Sequence, residues 1–79
     1  MKVQVLFFGA TAEATGTREI EFDLADATRA EIAFGKIVAR FPQLENYSLL
    51  FAVNQTYASG GEVIQNGDEL AVFTHVSGG

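Results

Sequence analysis

Residues 28–42 read TRAEIAFGKIVARFP, and this stretch decides the fold. Ala30, Ala33, Phe34, Ile37, Val38 and Phe41 recur at helical spacing and form one apolar stripe. Thr28 and Glu31 have capping-box spacing, so the sequence predicts a helix that starts with the threonine oxygen accepting from the first turn. Pro42 ends it by pushing Phe41 out of helical geometry. Ile32 lies off the stripe, and Gly35 weakens the helix interior. Everything on either side of this helix reads as strand or turn.

Toward the N-terminus, KVQVLFFG (2–9) places Val3, Val5 and Phe7 on one face and Lys2, Gln4, Leu6 and Phe8 on the other, the period-two alternation of a strand. GATAEATGT (9–17) reads as a small polar loop. REIEFDL (18–24) then alternates with Ile20, Phe22 and Leu24 inward, so the two strands and the loop read as a hairpin. Toward the C-terminus, PQLENYS (42–48) is an irregular or single-turn connection and LLFAVNQTYA (49–58) a strand. GGEV (60–63) is a turn, and QNGDELAVFTHV (65–76) is an Asn66-Gly67 turn before a last strand. In that strand Leu70 and Val72 face the helix, which sends Phe73 to the open face. The order strand, strand, helix, strand, short connection, strand implies an α+β domain, a mixed sheet with one main helix on one face. That order matches the β-grasp, in which the first and last strands lie side by side.

The chain has 79 residues, 48% of them hydrophobic and seven of them Phe, which suits a single domain over 1–79 with a core that needs no staple. No Cys excludes a disulfide framework and a thiolate nucleophile and fits a reducing cytoplasm; with a single His, no protein-only metal site is expected. The opening MKVQVLFFGATA imitates a signal peptide, yet Gln4 interrupts a short apolar run that reads better as a strand. No stretch reaches the length of a membrane span. A net charge of −5 argues against a nucleic-acid partner and favours a basic protein pocket. No paired acid and base or phosphate-binding loop is evident, so catalysis by this chain alone is not expected.

VLFFG (5–9), AVNQ (52–55), NGDELAVF (66–73) and the terminal VSGG (76–79) together resemble the small subunit of molybdopterin synthase, a ubiquitin-like sulfur carrier of the MoaD/ThiS family. The resemblance spans nearly the whole chain in one order. It implies a C-terminal carboxylate that a partner adenylyltransferase of the MoeB type activates with ATP and that becomes a thiocarboxylate. Within a complex with the large synthase subunit, a heterotetramer of two small and two large chains, the sulfur passes to a cyclic pyranopterin precursor of the molybdenum cofactor. By this likeness Gly79 carries the sulfur and Gly78 lets it thread into the partner's site. Phe73, Tyr57, His75, Val76 and Ser77 meet the partners, and no cofactor or metal stays bound. One departure stands close to the tail: Thr74-His75 occupies the place of a Pro-Pro pair, so the rigid extended lead-in that prolines provide is missing.

The chemistry of the tail agrees with this reading. An α-carboxyl titrates near about 3.3–3.7, so at neutral pH it is an anion and a poor electrophile until an adenylate replaces one oxygen with a leaving group. Residues 76–79, when extended, span at most roughly 13 Å, enough to enter a neighbouring site, and a side chain at Gly78 would widen the thread. His75 reads as an exposed residue near a strand end rather than as a proton shuttle, and Ser77 lacks an evident base to make it a nucleophile. Leu6, Phe8 and Phe73 either share an apolar patch on the open face or lie under a loop or second element, whereas Glu62, Asp68 and Glu69 either face a basic partner or are simply solvated. Two other functions fit the same residues: a sulfur carrier or protein-conjugating modifier of another pathway, and a non-covalent ubiquitin-like interaction module.

Overall fold

The computed structural model describes residues 1–75. Strand β1 (Lys2–Phe7) runs into helix α1 (Ala10–Thr15) and strand β2 (Glu19–Asp23), followed by helix α2 (Ala30–Arg40) and a 3₁₀ helix (Pro42–Asn46). Strands β3 (Leu49–Val53), β4 (Thr56–Tyr57) and β5 (Glu69–Thr74) complete the chain. The sheet has five strands in the order β2-β1-β5-β3-β4, with β1 and β5 parallel and every other pair antiparallel. The mixed sheet, its single long helix and the adjacency of first and last strands agree with the α+β, β-grasp expectation.

Alternation sorts the side chains as the sequence implies. Val3, Val5 and Phe7 of β1 and Leu70 and Val72 of β5 are buried against Ala30, Ala33, Phe34 and Ile37 of α2. Phe41 stands edge-on to Phe7 with ring centroids 5.4 Å apart, and Phe34 lies 4.3 Å from Phe51, so aromatic pairs close both sides of the helix. Ile32 points to solvent, as its place off the stripe requires.

Three local readings are corrected. The segment after β1 is not a plain loop, because Ala10–Thr15 forms a short helix. Gly9 makes the corner at φ 55, ψ −120, a conformation open in practice only to glycine, and Gly16 ends the helix in the left-handed region. A sequence of Ala and Thr with one Glu carries no hydrophobic period long enough to announce one and a half turns.

Nor is there a capping box at α2. The N-cap is Arg29 and no side chain caps the helix. Ala27 has φ 63 and folds Ala25–Thr28 into a turn in which the Thr28 hydroxyl donates to the Ala25 carbonyl at 2.6 Å, and Thr28 stands one residue before the cap position held by Arg29. The free N–H groups of Ala30 and Glu31 donate instead to the carbonyls of Glu62 (2.8 Å) and Gly60 (2.9 Å), and Ile64 N–H donates to Thr28 O. A loop distant in sequence therefore caps the helix.

Finally, residues 49–58 are not one strand but a tight hairpin. Asn54 and Gln55 adopt φ 49 and 69, the pair of positive values that a two-residue hairpin turn requires, and β4 folds back on β3. The Asn66-Gly67 turn is present, and Asn66 Oδ1 accepts from Lys2 N–H at 2.9 Å.

Candidate functional site

The face of the sheet away from α2 is uncovered by any element of the described residues. Leu6 of β1, Ala52 of β3 and Ala71 and Phe73 of β5 point to it, because they occupy the alternate positions to the core residues beside them. They line a shallow open trough of about 960 Å³, walled by Phe8, Gly9 and Ala10 at one end and by Tyr57 and Gln55 at the other. The paired alanines form its floor: Ala52 and Ala71 are register partners, and their small side chains keep the middle low while the aromatics rise around it.

Two of the residues expected to face a partner are brought together here. Tyr57 and Phe73 lie with ring centroids 5.9 Å apart and planes tilted by 40°. Tyr57 is 71% exposed and Phe8 is 52% exposed, so these rings are offered to solvent rather than stored in the core. His75 lies on the same wall, one residue beyond the end of β5, and is exposed. The apolar patch expected from Leu6, Phe8 and Phe73 is therefore present. Val76, Ser77, Gly78 and Gly79 lie outside the described residues; by chain order they follow directly from this wall.

The acidic residues divide. Glu62 is structural: its carboxylate accepts from Ser59 N–H at 2.7 Å and Gly60 N–H at 2.8 Å, and the Ser59 hydrogen bond first among these holds it below the ordinary glutamate value of 4.5. Asp68 accepts from Asn54 Nδ2 and Gln65 N–H, which ties the hairpin to the turn before β5. Glu69 lines the trough. On the opposite edge, Lys2 pairs with Asp23 (3.1 Å) and Glu21 (3.4 Å), and the hydrogen bond to Asp23 chiefly raises its pKa above 10.5.

Sequence reading missed Ala52, Gln55, Gly9 and Ala10 as lining residues. A signal for Ala52 existed, since the alternation of residues 49–53 places it opposite to Phe51. Gly9, Ala10 and Gln55 reach the trough through the α1 corner and the tight turn, both of which were misread. No helix of the described residues is long and apolar enough to cross a membrane.

A five-stranded mixed sheet crossed by one helix, with an aromatic open face beside the strand that leads to the chain end, defines a ubiquitin-like β-grasp protein. The chain belongs to the ThiS family, whose model matches residues 5–79. It is 34% identical to the molybdopterin synthase sulfur carrier subunit of Chlamydomonas reinhardtii, with all of both chains covered. It is 36% identical to the protein of the same name from Homo sapiens, over 99% of this chain and 94% of that one. Among solved structures it is similar to SAMP1 of Haloferax volcanii, with a TM-score of 0.87 and 28% identity over the whole of both chains.

Proposed function

We propose that this chain is the sulfur-carrier subunit of a molybdopterin synthase, with Gly79 as the carrier group. The observation that carries the reading is the placement of the aromatic trough against the end of β5. Phe73, Tyr57 and His75 offer an apolar docking surface at the root of the segment that holds Gly78 and Gly79. A partner seated on the trough receives the tail in its own active site. Full-length likeness to proteins named for that role supports the assignment.

The steps follow from acyl chemistry. The Gly79 carboxylate oxygen attacks the α-phosphorus of ATP held by an adenylyltransferase partner, releasing pyrophosphate and forming an acyl adenylate. Sulfide (HS⁻) then attacks the carbonyl carbon, the C–O bond to AMP breaks with AMP leaving, and loss of the sulfhydryl proton gives the thiocarboxylate. This chain contains no Cys, so the sulfur atom comes from outside it. Docked next on the large synthase subunit, in an assembly of two small and two large chains, the thiocarboxylate sulfur bonds to a carbon of a cyclic pyranopterin precursor, and water cleaves the acyl C–S bond and returns the Gly79 carboxylate. The chain itself supplies docking, reach and the acyl group, while nucleotide and catalytic side chains belong to the partners. The cytoplasm is the expected site of this work.

The test is intact-protein mass spectrometry after incubation with the activating enzyme, ATP and a sulfur donor, beside a variant lacking Gly79. Exchange of one oxygen for one sulfur at Gly79 is expected, with none in the deleted chain, whose unfolding curve stays that of the parent. Normal sulfur transfer by the deleted chain overturns the assignment.

A further inference from the structure

Thr11 is the one polar side chain among the described residues that is fully buried, and it sits where the sheet opens toward the tail. Strands β1 and β5 pair in parallel through Phe7 and Val72, while the antiparallel ladder with β3 continues two residues further, to Leu49 opposite Thr74. Phe73 and Thr74 are thus held by a neighbouring strand on one side only. Gln4 N–H donates to Asp68 O, and a step of two along each strand makes Phe8 N–H to Val72 O a later rung of the same ladder. That rung is not direct. Phe8 N–H donates to Thr11 Oγ1 at 2.9 Å, and Thr11 Oγ1 donates onward to Val72 O at 2.7 Å. Thr11 Oγ1 also lies 3.0 Å from the Phe8 carbonyl, which accepts from Thr11 N–H at 3.1 Å; Val72 O is the nearer acceptor and has no other partner across this edge among the described residues, so it takes the hydroxyl proton. One oxygen atom is spliced into the ladder, closing it at the point where β1 turns away into α1.

We infer that Thr11 is a positioning residue for tail delivery: its hydroxyl sets where β5 leaves the sheet and holds Phe8 at the trough wall, and so fixes the point at His75 from which the chain continues. The inference rests on the carrier reading for its functional consequence, although its structural half stands without it. Valine matches threonine in shape but has no hydroxyl, so Thr11→Val leaves Phe8 N–H and Val72 O facing each other across an apolar gap with neither satisfied. The strand ends then part and admit water. That loosens Phe73–His75 at the root of the tail while leaving Tyr57 at the trough wall.

The experiment compares Thr11→Val and Thr11→Ser with the parent in two measurements. Backbone amide exchange and relaxation by NMR need no partner. In Thr11→Val the Phe8 amide is expected to exchange about tenfold faster or more, with added motion at Phe73–His75 and little change in α2. In ATP-pyrophosphate exchange with the activating enzyme, kcat is expected to fall about tenfold to a hundredfold, the scale of a misplaced reacting group, while KM for the carrier stays within about threefold. Thr11→Ser is expected to restore both. An unchanged Phe8 amide, a loss confined to KM, or a failure of serine to rescue overturns the proposal. If Thr11→Val does not fold, Thr11→Ala, which removes the same hydroxyl, is measured in its place against the same criteria. If the parent chain is not adenylated at Gly79, the carrier reading fails, and the exchange and relaxation data still decide the role of Thr11.

Discussion

Replacing Phe73 by alanine separates the two faces of the sheet. The Phe73 ring lies on the open face, partly exposed, with Tyr57 as its aromatic neighbour at 5.9 Å. Burial of a whole Phe contributes about 1.5–3 kcal/mol, so a partly covered ring accounts for roughly 1 kcal/mol of folding stability, plus about 0.5–1 for the Tyr57 pair. Phe7 offers the contrast: it is 2% exposed and packs edge-on against Phe41 at 5.4 Å. Phe7→Ala is expected to cost about 3–5 kcal/mol, a large share of the total for a domain of this size. On a partner the order reverses. A ring that becomes fully covered at the centre of an interface contributes about 2 kcal/mol or more, so Phe73→Ala is expected to weaken binding to the large synthase subunit about 30-fold. Urea unfolding measures the first quantity and isothermal titration with the large subunit the second. Binding by Phe73→Ala within about threefold of the parent, or a stability loss equal to that of Phe7→Ala, refutes the assignment of the open face.

Asn54 holds a left-handed conformation and makes two side-chain bonds, accepting from Glu69 N–H (2.9 Å) and donating to Asp68 Oδ1 (3.0 Å). Asn54→Ala is expected to lower stability by about 1–2 kcal/mol, and Asn54→Gly by less because glycine keeps the turn geometry without strain; urea midpoints at constant m-value rank the two. Glu62 has a folded-state pKa below 4.5, so its contribution is fully present above the unfolded value and is lost as pH falls through the folded one. Thermal melts of Glu62→Gln are expected to differ from the parent at neutral pH and to converge with it in acid, and a constant difference at all pH values contradicts the role of the carboxylate in holding the Ser59 and Gly60 N–H groups.

Much of this protein was legible in order and period alone. The α2 stripe, the inward and outward sets of β1 and β5, and the Asn66-Gly67 turn follow from local alternation, which is a property of consecutive residues. The patch of Leu6, Phe8 and Phe73 was equally legible, since a strand that buries one set of side chains must present the other. Tertiary structure decided what depends on groups far apart in the chain. Helix α2 starts one residue later than the capping-box spacing implies, with Arg29 at the cap position, and takes its cap from the Gly60 and Glu62 carbonyls, which no spacing rule reveals. Tyr57 meets Phe73 only because Asn54 and Gln55 reverse the chain in two residues. Thr11, read in sequence as part of a polar loop, bridges β1 and β5 because the strands part there, and a hydrogen bond across 61 positions exists only once both ends are folded. Sequence determined which faces are apolar and in what order the elements come, because those are local. Which backbone groups remain to be satisfied, and by whom, was set only when the sheet closed.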